Sequence, residues 1–224
     1  MKGDAMKPET MQDFFSARID EYDTHMLEEV VGCREGYLRM ASTLPDGLRY
    51  LLDLGAGTGL QLVPIFERFP HLCVSAIDLS GVMLARLRCR FPDKHICATV
   101  GDFTKMNLGK PIVFGAAVSF EVMHHLTAEE RLAIYTTIFE TLLPGGVYLE
   151  GDYTAKDEAE EAAMREEAER QTREHALLEG VRYHIDTPLT AEHTAALLTE
   201  AGFADVEVIY REGATVLLRA VAKK

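Results

Sequence analysis

One stretch constrains this chain more than any other. Leu51-Leu52-Asp53-Leu54-Gly55-Ala56-Gly57-Thr58-Gly59-Leu60 is an apolar run with an acid in it, followed by three glycines at alternate positions and then a helix-length amphipathic segment. Glycine tolerates the left-handed backbone that a sharp strand-to-helix turn needs, and it lets N–H groups approach a ligand with no Cβ in the way. Dinucleotide-binding loops keep a third glycine where this chain has Leu60, so the spacing speaks against a nicotinamide dinucleotide. Asp53 lies two positions before the first glycine, where a carboxylate repels a pyrophosphate but accepts hydrogen bonds from a cationic or zwitterionic ligand.

The segments around the turn repeat one pattern. Short runs rich in Val, Ile and Leu, at Tyr50–Leu54, Cys73–Asp78, Ile96–Asp102, Val113–Phe120 and Gly146–Tyr153, alternate with helical stretches at about 59–69, 80–91 and 127–142. Thr127-Ala128-Glu129-Glu130 is a capping box, and Pro144-Gly145-Gly146 follows the helix it opens. Parallel neighbours need right-handed crossovers, so this alternation predicts an open doubly wound α/β sheet with its ligand crevice at the carboxyl ends of the strands.

Before the sheet, apolar spacing over the first 44 residues predicts two helices, stopped by Pro45-Asp46-Gly47. After it, Asp157–Glu179 carries nine acids and three Arg, with Met164, Ala168, His175 and Leu178 on a common stripe, which predicts an exposed helix with one half-buried face. Thr190–Ala201 reads as a short helix ended by Gly202, and Val206–Tyr210 with Thr215–Val221 as an antiparallel hairpin turning at Glu212-Gly213. One domain over 1–224 is expected, with a helical cap (1–44), a ligand-binding core (45–153), a helical insertion (154–189) and a terminal helix and hairpin (190–224).

Charge narrows the partners. The formal net charge of −13 repels a phosphate backbone, and no apolar run reaches the roughly 20 residues of a membrane span. A soluble, cytoplasmic protein is expected. Cys33, Cys73, Cys89 and Cys97 form no C-x-x-C pair or Cys/His cluster, so they are expected to be reduced core thiols, and no metal is expected. His71, His175 and His193 are expected on exposed helix or loop positions.

Two more acids stand where such a fold binds ligands. Asp78 ends the second strand in Ser75-Ala76-Ile77-Asp78-Leu79-Ser80, one β-α unit after the glycine turn, where a carboxylate chelates ribose hydroxyls. Gly101-Asp102-Phe103 ends the third, pairing a carboxylate with an aromatic ring able to hold a purine.

Together DLGAGTG (53–59), AIDLS (76–80), GDF (101–103), SFEVMHHL (119–126) and LLPGG (142–146) resemble a class I S-adenosylmethionine-dependent methyltransferase of the small-molecule type over essentially the whole chain. The resemblance implies a seven-stranded sheet of order 3-2-1-4-5-7-6 with strand 7 antiparallel. It implies S-adenosylmethionine as cofactor, with Asp53, Gly55, Ala56 and Gly57 around the methionine moiety and Asp78 on the ribose. Leu79 and Met83 would lie against the adenine, Asp102 and Phe103 on its other side, Ser119 beneath the sulfonium, and Tyr22 folded over the cofactor. The pattern departs from the family at Val113-Phe114-Gly115, where many relatives carry an acid.

Methyl transfer from a sulfonium is an in-line displacement, which needs a positioned acceptor in a shielded pocket and, for some acceptors, a general base. Candidates for the catalytic groups are Glu121, His124 and His125 after the fourth strand, Asp152 and Tyr153 at the end of the fifth, and His184 beyond the acidic helix. His124 reads either as base or as a residue orienting its loop. A small-molecule acceptor, uncharged or cationic, suits the acidic surface. A transferase acting on wobble uridine of tRNA, or a non-catalytic cofactor-binding module, are the alternatives, and a homodimer is compatible with the sequence. The N-terminal helices and the acidic helix are expected to form a mobile cover over the crevice.

Overall fold

The computed structural model describes residues 7–106, 108 and 114–224. The chain enters through α1 (Met11–Ala17) and α2 (Tyr22–Thr24), which runs on into a π turn at His25–Glu29, and then α3 (Cys33–Thr43). Three segments thus stand where two helices were expected. The break before α3 is Gly32, in the left-handed region at φ +92°, where a Cβ would sit 2.9 Å from the Glu212 carbonyl oxygen.

The alternating part follows as β1 (Tyr50–Leu54), α4 (Leu62–Arg68), β2 (Cys73–Asp78), α5 (Gly81–Arg90), β3 (His95–Val100), β4 (Phe114–Phe120), α6 (Ala128–Thr141) and β5 (Leu142–Tyr153). The chain closes with α7 (Glu158–Glu174), α8 (Ala191–Glu200), β6 (Ala204–Glu212) and β7 (Thr215–Val221). The strands form one sheet of order β3-β2-β1-β4-β5-β7-β6. The pairs of β1, β2, β3, β4 and β5 are parallel, and β7 runs antiparallel to both β5 and β6.

Strand alternation explains why both faces need helices. In β1, Leu51 belongs to the apolar cluster with Met40, Leu62, Ile65 and Leu84 from α3, α4 and α5. Leu52 and Leu54 belong to the opposite cluster, with Tyr135 and Ile138 of α6 and Leu198 of α8. A side chain changes face at every residue, so a strand covered twice reads as a continuous apolar run. The expected capping box opens α6: the Thr127 hydroxyl accepts from the Glu130 N–H and the Glu130 carboxylate from the Thr127 N–H.

Some expectations need correction. β5 starts at Leu142, so the LLPGG segment is paired into the sheet, with the register slipping between Phe114↔Leu142 and Ala116↔Val147. The acidic helix stops at Glu174, and Ala176 takes a positive φ of 44°, which leaves Leu178 outside the helix and 65% exposed. The inward face of α7 carries Ala168, as expected, and also Glu161, which accepts from the Thr190 N–H and pairs with His193 at 2.7 Å, so His193 is not a free surface residue. Of the cysteines only Cys33 is buried, and Cys89 and Cys97 are exposed. Val113 lies outside the described residues. No helix among the described residues is long and apolar enough to cross a membrane.

Candidate functional site

β1 is flanked by β2 on one side and β4 on the other, so chain order reverses there and the two loops leaving β1 and β4 diverge. The glycine turn leaves β1. Gly55 and Gly57 have φ of +66° and +53°, and a Cβ on Gly55 would fall 2.3 Å from Val122 in the loop after β4. The missing side chain thus lets the two diverging loops pack together. The Gly55 and Ala56 N–H groups donate to the Ile77 carbonyl (2.8 and 3.1 Å), and the Gly57 N–H donates to Asp78 Oδ2 at 2.8 Å. Asp78 Oδ1 accepts the Ser80 N–H at 2.8 Å, and burial pushes the carboxyl above the usual carboxylate range.

A cleft of about 650 Å³, open mouth included, lies over this turn. Gly55, Gly57, Asp78, Leu79, Met83, Asp102 and Phe103 line it together with Tyr22, as the sequence led one to expect. Three other expected residues act from beneath. Asp53 is fully buried and turned away, with both carboxylate oxygens accepting from Gln61 Nε2 at 3.0 and 3.1 Å, and Ala56 is buried. Ser119 is buried too, hydrogen-bonded to Tyr148 Oη at 2.7 Å in a polar cluster where both Tyr148 and Tyr135 donate to Glu150. Its side chain faces α6, not the cleft. Burial, with the Asp152 charge adding and the Arg131 charge opposing, pushes Glu150 up to about 7.

The cleft also takes residues the sequence reading missed: Met11, Phe15, Val122, Leu126 and Arg182. Arg182 pairs with Glu130 at 2.7 Å and with Asp102 at 3.4 Å, so one oxygen of Asp102 faces a guanidinium while the other caps the Phe103–Lys105 turn by accepting from Thr104. The cover comes from α1 and the segment after α7, joined by the Met11 N–H to the Arg182 carbonyl (2.9 Å), the His184 N–H to the Glu9 carbonyl (2.9 Å), and the Phe14 ring stacked on His184 at 3.5 Å. Among the described residues α7 itself contributes no lining residue, which corrects the expectation that the acidic helix covers the crevice. Asp20 and Asp23 pin the N-terminal segment to Arg86 and Arg90 of α5, and Asp23 also accepts from the Thr58 hydroxyl.

A second cavity, of about 1500 Å³ with its open mouth, adjoins the first. Phe15, Tyr22, Glu121 and His125 line both. His124 and Asp186 line the second, while Asp152 and Tyr153 stand behind its wall. His124 Nδ1 lies 2.6 Å from Asp152 Oδ1. Burial alone would lower the His124 pKa, but the Asp152 carboxylate and Glu121 hold it up to about 9. Burial, with the His124 charge adding to it, holds His125 down to about 4. Burial raises Glu121, against the His124 charge, to about 7. Glu121 also sits at a positive φ of 54°, a costly conformation for a side chain with a Cβ and one concentrated at functional sites. Tyr153 packs its ring 5.8 Å from that of His124 and points its hydroxyl at Met164 Sδ, 3.5 Å away.

The expectation of no metal-ligating cluster rested on spacing, and the fold changes it. His124, His125 and Asp186 place one ligand atom each within 4.8 Å of the others, as do Glu121, His124 and Asp152. Asp186 comes from a segment some sixty residues downstream, where no spacing rule could have linked it to the histidines.

Comparison with known proteins agrees with this geometry. Residues 51–146 match a family model described as a methyltransferase domain. A trans-aconitate 2-methyltransferase of Rhodopseudomonas palustris is 28% identical over 152 residues, which cover 68% of this chain and 57% of that one. The chain therefore spans little more than half the length of that relative. Among solved structures, Streptomyces venezuelae DesVI superposes with a TM-score of 0.66 at 20% identity over 91% of this chain and 98% of its own. Human N-acetylserotonin methyltransferase, in complex with SAM, superposes with a TM-score of 0.63 at 19% identity, over 94% and 59%. At such identities the two structures attest the fold.

Proposed function

We propose that this chain, whose residues 51–146 match a methyltransferase-domain model, is a class I S-adenosylmethionine-dependent methyltransferase that transfers the methyl group of that cofactor to a small-molecule acceptor held in the second cavity. The observation that carries the reading is the Asp78 carboxylate. Each oxygen accepts one backbone N–H, from Gly57 or Ser80, and keeps a lone pair for a hydroxyl of a ligand in the cleft.

The other lining residues fit the rest of the cofactor. Gly55 and Gly57 offer backbone, with no Cβ, to the amino-acid end, and Leu79, Met83 and Phe103 offer apolar surface to the purine beside Asp102. When bound, S-adenosylmethionine supplies a methyl group made electrophilic by its sulfonium. The chain's part is positioning and shielding. Phe15, Tyr22, Glu121 and His125 border both cavities, so the two ligands meet across them. Where the acceptor gives up a proton, Glu121 is the group placed to take it, with a pKa of about 7 that suits a base near neutral pH. His124 and Asp152 hold the loop that carries it, and Tyr153 packs behind them.

A small acceptor is favoured over nucleic acid by the second cavity itself. Asp20, Glu21, Glu29, Glu121 and Asp186 line it against the guanidinium of Arg18 and the His124 imidazolium, and the remaining excess of negative charge repels a phosphate backbone. The trans-aconitate methyltransferase relative, named for a small molecule, supports the same choice.

Calorimetry with S-adenosylmethionine, followed by a tritiated-methyl screen over metabolite pools and bulk tRNA, tests the reading. One cofactor per chain and label in a small molecule are expected. Absence of cofactor binding sinks the proposal, and label in tRNA alone replaces its acceptor. Asp78→Ala should weaken cofactor binding about 10- to 150-fold, the equivalent of a charge-assisted hydrogen bond of roughly 1.5–3 kcal/mol. An unchanged affinity removes Asp78 from the site. Hydrogen exchange gives a further check: with cofactor bound, protection should rise across Phe14–Met26, and identical exchange with and without it rules out a cover that orders over the ligand.

A further inference from the structure

We propose that His124 Nε2, His125 Nδ1 and Asp186 Oδ1 form a site for one divalent transition-metal ion, of the zinc, cobalt, nickel or iron(II) kind, whose open coordination positions face the second cavity. The site is independent of the methyl-transfer reading.

The first observation is an unspent pair of buried atoms. His125 Nδ1 and Asp186 Oδ1 lie 3.0 Å apart, yet both are buried without a hydrogen-bond partner, and the His125 side chain is only 7% exposed. The pair is close but off hydrogen-bond geometry, and in the His125 tautomer protonated on Nε2 both atoms turn lone pairs toward one point, an arrangement that a cation satisfies. Metal ligands about 2.0–2.2 Å from a common ion stand about 3.0–3.5 Å from one another, which is the spacing of this pair. His124 Nε2 stands 3.9 Å from the same Asp186 oxygen, so a ring shift of under about 1 Å completes the triad.

The second observation is how His124 is held. Its Nδ1 is engaged by Asp152 Oδ1 at 2.6 Å, leaving Nε2 for the triad. A carboxylate on the far nitrogen of a histidine is the usual support behind a metal ligand, where it fixes the ring and raises the basicity of the ligating nitrogen. The third is a scaffold that joins the two segments. The Thr187 N–H donates to the His124 carbonyl at 2.6 Å, and the Thr187 hydroxyl donates to the carbonyls of His124 and Leu126 at 3.2 and 3.0 Å. Asp186 is thus fixed opposite the histidines by backbone, not by a mobile side chain alone.

Two imidazoles and one carboxylate select for transition metals over magnesium or calcium, which prefer oxygen. Glu121 and His184 stand close by, Glu121 with its carboxylate 3.9 Å from His124 Nδ1 and His184 with its ring 5.0 Å from that of His125. Glu121 lies on the Asp152 side of the His124 ring, so His184 is the residue near enough to serve as a fourth ligand after a side-chain rotation.

The test is calorimetric titration of the chelator-stripped, full-length protein with Zn²⁺, and with Co²⁺ read by its visible absorption. One ion per chain is expected. Asp186→Asn, a change at a side chain 35% exposed that need not disturb folding, should weaken binding at least 100-fold. Asp152→Asn should weaken it about 10- to 100-fold through its hold on His124. His193→Gln, which removes a histidine paired to Glu161 in another part of the fold, should leave it unchanged. Binding below one ion per chain, equal affinity of the Asp186→Asn and parent proteins, or loss in His193→Gln would each overturn the site. Because the readout is metal alone, it is unaffected by whether S-adenosylmethionine binds.

Discussion

Replacing Arg131 with methionine should lower the unfolding midpoint by about 6–20 °C, the equivalent of about 3–5 kcal/mol for a chain of this size. Arg131 is only 1% exposed, in the first turn of α6, whose other buried residues are Ile134, Tyr135, Ile138 and Thr141. Its Nε donates to the Leu126 carbonyl at 3.2 Å and its terminal nitrogen to the Thr187 carbonyl at 2.9 Å. Methionine fills much of the volume but leaves the Thr187 carbonyl without this donor and takes away the positive charge that opposes the rise in the Glu150 pKa. The effect reaches the site as well. Leu126 ends the loop that carries His124 and His125, and Thr187 follows Asp186, so one guanidinium ties together the two segments that face the second cavity. Thermal melts of the parent and the variant decide the matter, and a midpoint shift below about 2 °C would mean that the guanidinium is replaceable by any side chain of its size.

Most of the fold was legible because its determinants are local. Continuous apolar runs, the Thr127–Glu130 capping box and the turn at Glu212-Gly213 each lie within a few residues and dictate strand, helix start and hairpin without reference to anything distant. The glycine turn and Asp78 were legible for the same reason, since strand, turn and next strand follow one another in the chain. Ser119 was misplaced although a local signal existed. In β4, Ala116, Val118 and Phe120 pack into one apolar cluster while Ala117 packs into the other, so alternation alone puts Ser119 on the α6 face with Tyr148.

Other features had no local signal. Gln61 finds Asp53 across the turn, eight residues away, and Arg182 and Asp186 lie in an irregular stretch whose position is set by backbone bonds to Met11, Glu9 and His124. Leu178 fell off its expected stripe because the helix ends at Glu174 and the chain turns at Ala176, neither of which carries the composition that marks a helix stop.

Asp53→Asn should raise stability at pH 8 and change it little at pH 4. Asp53 is fully buried beneath the glycine turn, and burial, only partly offset by the Gln61 amide, pushes its pKa from the usual 3.8 up to about 7. Between those two values the folded chain keeps a proton that the unfolded chain has released. Stability must then fall as pH rises through the window: the contribution is fully present below about pH 4 and is lost above about pH 7. A shift of that size corresponds to at most about 4 kcal/mol. Asparagine stays neutral at every pH and still offers an oxygen to Gln61, so it removes the penalty without opening a cavity.

Asp78, Glu121 and Glu150 are also raised and slope the same way, while Asp186 is lowered and slopes the other way, so the total pH profile cannot isolate Asp53. The difference between variant and parent can. Melts of both proteins without ligand at pH 4, 6 and 8 should show the variant's advantage growing with pH, and an advantage equal at all three would mean that Asp53 does not titrate in this range. If the advantage grows as expected, the turn under the cleft carries a buried charge at neutral pH, a cost set against the hydrogen bonds by which Asp53 holds Gln61 beneath the glycine turn.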